Sequence, residues 1–202
     1  MSSIDDLYLI EKAKSGDYEA FEKLVSKYEA KVYTVAYRFF GNHEDACDLT
    51  QEVFIKVYKS LSDFRGDSNF MTWLYRITAN ACRDELRKRK SKCTISLDEE
   101  IKEDMTLLSS IPNNTLPPDA EFERKELSDQ VQHCLNLMSD EHRLVLIMRE
   151  IQGLSYDEIA ASMKCSLGTV KSRLSRARTI FRKKFSILME HSESPIRQKK
   201  RR

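Results

Sequence analysis

Glycine and proline are scarce in this chain of 202 residues, which holds five of the first and four of the second. Together they make up under about 5%, where an average protein carries roughly 12%. The shortage argues against a turn-dense sandwich or barrel and against a glycine-rich phosphate loop. Long apolar runs are missing as well, and none approaches the ~18–20 residues of a membrane span. The first residues, Met1-Ser-Ser-Ile-Asp-Asp6, are acidic and lack the basic and apolar stretches of a secretory leader. The five cysteines (Cys47, Cys82, Cys93, Cys134 and Cys165) are odd in number and form no C-x-x-C pair. Neither a disulfide framework nor a zinc ribbon is indicated. His43, His133, His142 and His191 show no metal-binding spacing, and no nucleophile elbow occurs. His133 and Cys134 are neighbours, but adjacent side chains on a helix diverge by about 100°, so a shared ion is not expected. These absences lead to the expectation of a non-enzyme without cofactor or metal, not inserted in a membrane, in a reducing cytoplasm.

Charge is abundant, and its net value of +2 conceals a polarised chain. Residues 1–90 balance to zero, 91–118 carry −3, 119–190 carry +1 and 191–202 carry +4. Between Glu158 and Glu190 there is no acidic residue, while Lys164, Lys171, Arg173, Arg176, Arg178, Arg182, Lys183 and Lys184 crowd that stretch. Such a segment suits a polyanionic partner.

Apolar periodicity divides the chain into two helical blocks. Tyr18 to Phe40 reads as one helix, ended by Gly41-Asn42. Ala46, Leu49, Val53, Phe54, Val57, Tyr58 and Leu61 form the inner stripe of a second, whose other face holds Asp45, Asp48, Gln51, Glu52 and Lys59. Ser62–Asn69 is a loop, and a third helix runs from about Phe70 to Arg89 with Trp73, Leu74, Ile77 and Ala81 inward. Its basic end, Arg83 to Lys90, suits a helix C-terminus. Periodicity then lapses over 91–118, where Asp98, Glu99, Glu100, Glu103 and Asp104 precede Ile111-Pro-Asn-Asn-Thr-Leu-Pro-Pro118, the composition of a flexible linker. Phe122 to Leu137 and Leu144 to Ile151 read as two more helices.

The sharpest local signal lies beyond Gly153. Ser155 and Glu158 have capping-box spacing at the start of a short helix that buries Ile159, Ala160 and Met163. Lys164-Cys165-Ser166 is a tight turn, and the following helix turns Val170, Leu174, Ala177 and Phe181 inward. Gly168, Thr169, Ser172, Ser175 and Arg176 then face outward, flanked by Lys171 and Arg173. Small and hydroxyl residues beside arginines are what a helix needs to enter a major groove closely. The plainer alternative is a basic, solvated helix in an ordinary bundle.

Four strings decide between the many proteins that contain such a helix-turn-helix. Asp48-Leu-Thr-Gln-Glu-Val-Phe54, Phe64-Arg-Gly-Asp-Ser-Asn-Phe-Met-Thr-Trp-Leu-Tyr-Arg-Ile77, Leu154-Ser-Tyr-Asp-Glu-Ile-Ala160 and Gly168-Thr-Val-Lys-Ser-Arg-Leu-Ser-Arg-Ala177 occur in this order. With them the sequence resembles a bacterial RNA polymerase sigma factor of the extracytoplasmic function group, which keeps only sigma domains 2 and 4. Cys47 and the Asn42-His43 before it are not the commonest choices at their places.

The resemblance implies an all-α protein: domain 2, a helical bundle over 1–90; an acidic linker over 91–118; domain 4, a helix-turn-helix unit over 119–190; and a basic tail over 191–202. It implies an alternative sigma factor that binds the β′ and β subunits of core RNA polymerase and directs it to promoter DNA. Asp45, Asp48, Gln51 and Glu52 are then the core-docking residues. Arg65, Asp67, Ser68, Asn69, Trp73, Asn80, Arg83 and Arg87 would meet the −10 element, where promoter melting exposes bases that aromatic rings can stack on. Among Phe64, Phe70, Trp73 and Tyr75, helical spacing makes Phe70 and Trp73 packing residues first. Ser166, Gly168, Thr169, Lys171, Ser172, Arg173 and Arg176 would read the −35 element. An anti-sigma factor is a further implied partner; such partners are often membrane-bound and would hold the chain there. Two rival readings are a helix-turn-helix regulator acting without being a polymerase subunit and a basic protein that binds nucleic acid or acidic partners nonspecifically.

Overall fold

A computed structural model describes residues 4–93 and 118–199; most of the stretch read as a linker, 94–117, lies outside them. The first block contains α1 (Ile4–Lys14), α2 (Tyr18–Phe40), α3 (His43–Ser60), a 3-10 turn (Leu61–Asp63) and α4 (Phe70–Cys93). The second contains α5 (Pro118–Asn136), α6 (Asp140–Leu146), a π-helical turn (Ile147–Ile151), α7 (Tyr156–Met163) and α8 (Leu167–Lys199). No strand occurs among the described residues. The last helix passes position 190 without a break and reaches into the basic tail.

Local chemistry sets the helix ends. The Asp17 carboxylate accepts from the Ala20 N–H at 3.1 Å to start α2. At the other end Gly41, with φ of +87°, donates to the Tyr37 carbonyl. Asn42 then accepts from the Asp45 N–H at 2.8 Å and starts α3. The connection is one residue of left-handed backbone followed by one cap, so α2 and α3 return against each other as a hairpin.

Helix α1 is not anticipated by apolar spacing. Among its residues of described burial, Ile10 and Ala13 are the buried apolar ones, and a further inward group is a carboxylate, Asp6. That carboxylate accepts from Tyr28 Oη at 2.8 Å and Lys27 Nζ at 2.6 Å. A buried charge that fastens a helix through two donors leaves no hydrophobic stripe to find. Five of the apolar residues that mark the expected helices lie outside: Tyr18, Tyr58, Leu127, Leu137 and Ile151 are exposed. Tyr58 stacks on Tyr18 and meets Phe21 edge-on instead, at ring separations of 5.9 and 5.0 Å.

Side chains from both blocks join in one contiguous core. In the first block Val32, Val35, Phe39, Val53, Leu74 and Tyr75 are fully enclosed, and in the second Leu144, Ile147, Ile159, Val170 and Leu174. Between the blocks α4 packs on α7, and the end of α2 packs on α5 and α6. Nothing in the periodicity foretells that seam, because its buried members include Thr72, Ser162 and Gln132.

Candidate nucleic-acid interface

Helices α7 and α8 form the helix-turn-helix. Ser155 Oγ accepts from the Glu158 N–H at 3.2 Å, and Glu158 Oε2 accepts from the Ser155 N–H at 2.8 Å, a complete capping box. The Glu158 carboxyl is held below its usual range: those bonds and one from Thr72 outweigh the opposing effect of partial burial. Lys164 ends α7 in the left-handed region with φ of +50°. Ser166 Oγ then accepts from the Thr169 N–H at 3.1 Å and starts α8. Three residues thus turn the chain, and Val170, Leu174 and Ala177 key α8 into the core.

On the outer face of α8, Ser166, Gly168, Lys171, Ser172 and Arg176 are exposed, and Thr169 and Arg173 are half-buried. The hydroxyls are engaged locally: Ser166 with Thr169 at 2.8 Å, and Ser172 with the Thr169 carbonyl at 3.0 Å. Arg173 pairs with Glu141 at 2.8 Å, and Arg178 grips Glu150 through two nitrogens at 2.9 and 2.7 Å. Among the described residues no ion pair holds Lys171 or Arg176. These two are the cations that α8 offers to solvent near its start.

The loop before α4 is pinned at Phe64, which is buried against Phe70 and Trp73 and whose carbonyl accepts from Lys14 Nζ at 2.8 Å. Beyond it Arg65, Asp67 and Ser68 stand exposed around Gly66, whose φ is +81°. Asn69 Oδ1 accepts from the Met71 N–H at 3.1 Å at the start of α4. Trp73 is 6% exposed, its ring 5.2 Å from Phe64 and 5.7 Å from Phe70. The indole is packed in this aromatic cluster, as its helical core spacing leads one to expect. Further along α4, Arg83 donates to Asn80 Oδ1 at 3.2 Å, and Arg87 lies 3.5 Å from Asp84.

On α3, Asp48 and Gln51 are exposed. Asp45 behaves differently: Arg89 donates to both its oxygens, at 2.7 and 2.5 Å, while also donating to Glu85 and lying over the Phe40 ring at 4.8 Å. The Arg89 hydrogen bond holds the Asp45 carboxyl below its usual range. Glu52 is likewise lowered, first by its bond to Lys56 at 2.7 Å, with Lys88 at 3.8 Å. Asp45 and Arg89 are therefore an internal tie between α3 and α4. Sequence reading missed Ile55, 53% exposed in the same stripe as Asp48 and Gln51. Its signal is available in retrospect, an isoleucine at a polar-face position of an amphipathic helix.

The second block also has an apolar groove of about 350 Å³ lined by Val131, Leu135, Leu146, Ile151, Phe181 and Phe185. No cluster of three or more metal-binding side chains occurs, and no helix is long and apolar enough to cross a membrane, among the described residues.

Two family models match the chain, Sigma-70 region 2 over residues 24–92 and Sigma-70 region 4 over residues 128–180. The RNA polymerase sigma-H factor of Pseudomonas aeruginosa is 36% identical over 191 residues, covering 93% of this chain and 97% of that protein. The ECF RNA polymerase sigma-E factor of Escherichia coli K12 is 38% identical over 179 residues, covering 87% and 91%. Among solved structures, CnrH in complex with the cytosolic domain of CnrY matches with a TM-score of 0.63 and 26% identity, covering 93% of this chain and 98% of that one. The sigma factor RpoE of Bartonella quintana, in complex with the anti-sigma factor NepR, shares the fold with a TM-score of 0.66 and 24% identity, covering 83% and 97%.

Proposed function

Because this chain belongs to the extracytoplasmic function group of sigma-70 factors and is an alternative sigma factor, we propose that its two helical blocks divide the work as follows. The first block docks on core RNA polymerase through the exposed stripe of α3 and handles the −10 element through the loop 65–69 and the polar face of α4. The second reads the −35 element with the start of α8. Catalysis belongs to the polymerase, and the protein acts in the cytoplasm.

The observation that carries this reading is the free cationic start of α8, projected by a capped helix-turn-helix. Lys171 and Arg176 face solvent, beside Gly168, where the absence of a side chain permits close approach to a groove wall. The α3 stripe is of another kind. Asp48 and Gln51 flank Ile55, so a partner gains an apolar anchor ringed by polar groups that set orientation. In the −10 region, Asn80 and Arg83 form a polar pair on α4, and Arg65, Asp67 and Ser68 supply the loop groups for an unstacked base. The apolar groove of the second block has the character of a seat for one face of a partner helix, which suits the β subunit or an anti-sigma factor.

Runoff transcription with core polymerase tests the reading. The protein should confer specific initiation, and no stimulation would remove it in favour of a regulator acting outside the polymerase. Asp48→Arg and Ile55→Asp should each weaken association with core while leaving helicity unchanged. Normal core affinity in both would remove the docking face.

A further inference from the structure

We propose that His43 and Cys47, backed by Tyr33, form a binding site for a thiophilic divalent cation of the zinc class. The site goes beyond the sigma reading and does not depend on it, since neither ligand takes part in the proposed docking or promoter contacts.

Helical geometry brings the two ligands together. His43 and Cys47 are four residues apart in the first turns of α3, so both side chains leave the same face. A comparison of histidines with one another passes over this pair, because its second member is a thiol. Cys47 Sγ lies 3.5 Å from His43 Nε2 and 3.8 Å from Nδ1. A tetrahedral zinc ion holds sulfur at about 2.3 Å and imidazole nitrogen at about 2.0–2.1 Å, which sets the two ligand atoms about 3.5 Å apart. The span between Sγ and Nε2 is therefore already that of two ligands on one ion. The similar distances to both nitrogens place the sulfur beside the ring, and a swing of the exposed imidazole aims Nε2 at the ion.

The hairpin of α2 and α3 supplies the backing. It returns His43 to Tyr33, whose Oη lies 2.8 Å from His43 Nδ1. With the ring proton on Nδ1, Tyr33 Oη accepts it and Nε2 keeps the lone pair that a metal requires. Tyr33 is in turn steadied by stacking on Tyr37, at a ring separation of 6.0 Å. Glu44 and Asp48, exposed and adjacent in sequence to the two ligands, add negative charge that favours a divalent cation. On binding, the thiol proton passes to solvent and a sulfur–metal bond takes the place of the S–H bond. Among the described residues no third His, Cys, Asp or Glu completes the set. Water then fills the two remaining positions, and the ion is exchangeable, unlike one closed in by four protein ligands. Its structural effect is to staple the first turns of α3, the helix that carries Asp48 and Gln51.

Cobalt(II) is the probe, because it occupies zinc sites and reports thiolate ligation by a charge-transfer band in the near ultraviolet. Reduced wild-type protein should develop that band, and Zn2+ should displace it. Cys47→Ser should abolish the band, whereas Cys165→Ser should leave it unchanged. Tyr33→Phe keeps the ring but removes the acceptor for Nδ1–H, and should weaken cobalt binding by about tenfold or more. Zn2+ should raise the melting temperature of wild type and leave that of His43→Gln/Cys47→Ser unmoved, with circular dichroism showing equal helicity without metal. No band in wild type, a band that survives Cys47→Ser, or His43→Gln and Tyr33→Phe both binding with wild-type affinity would each overturn the site.

Discussion

The charged faces of the two blocks are satisfied in opposite ways. On α3 and α4, Asp45 is gripped by Arg89, and Glu52 lies between Lys56 and Lys88. At the start of α8, Lys171 and Arg176 face only solvent. A partner that meets Asp45 or Glu52 exchanges one ion pair for another, and the net gain is small, so such charges set register and encounter rate. A polyanion that meets α8 displaces only water and counterions, and each contact adds to affinity and salt dependence. Equal densities of charge in a sequence thus correspond to different capacities for binding, according to what the fold has already paired.

The largest effects should come where a proposed reader is also packed in the core. Trp73→Ala should cost about 3–5 kcal/mol of stability in chemical denaturation, the usual range for a buried aromatic. Trp73→Phe should retain most transcription, because a ring still packs on Phe64 and Phe70. Lost promoter opening in Trp73→Phe at unchanged stability would show that the indole meets DNA.

Next come the cations of α8. On promoters mapped for the holoenzyme, Arg176→Ala should weaken recognition by about 1–3 kcal/mol if it reads a base edge. Lys171→Ala should reduce the slope of log affinity against log salt by about 0.9 if it meets a phosphate. Arg173→Ala should do less, since that side chain is already committed to Glu141. A larger effect for Arg173 than for Arg176 would show that the Glu141 pair breaks on binding, and the contrast between the two faces would narrow.

These rankings need the structure, although much of the fold does not. Ser155 with Glu158, the inward Val170, Leu174 and Ala177, and the glycine that closes α2 are legible because one local rule fixes each of them. Asp45 is not, because its partner Arg89 lies 44 residues away on another helix and no local pattern pairs them. Trp73 was legible as a helical core position, and only its aromatic chemistry argued otherwise. The seam between the blocks was illegible because Thr72 and Ser162 read as solvent positions. Their burial is decided by mutual hydrogen bonding. Where a local rule does hold, its energy is measurable: Ser155→Ala should lower stability by about 1 kcal/mol in thermal melts.

The smallest effect tests the pre-paired face most directly. Arg89 holds the Asp45 carboxyl below its ordinary value of 3.8, so the folded state releases that proton more readily than the unfolded chain. The stabilisation is therefore complete above the unfolded value and is lost as pH falls through the lower, folded one. Both partners are partly solvated, which limits the pair to about 1 kcal/mol or less. Urea midpoints of wild type and Asp45→Asn should differ by a constant amount between about pH 7 and pH 5 and converge as acid protonates Asp45. No gap at any pH would mean that Arg89 stabilises through its stacking on Phe40 and not through the carboxylate. The α3–α4 face would then carry an unspent acid, like the unspent cations of α8, and Asp45 would rejoin Asp48 as a group available to the polymerase.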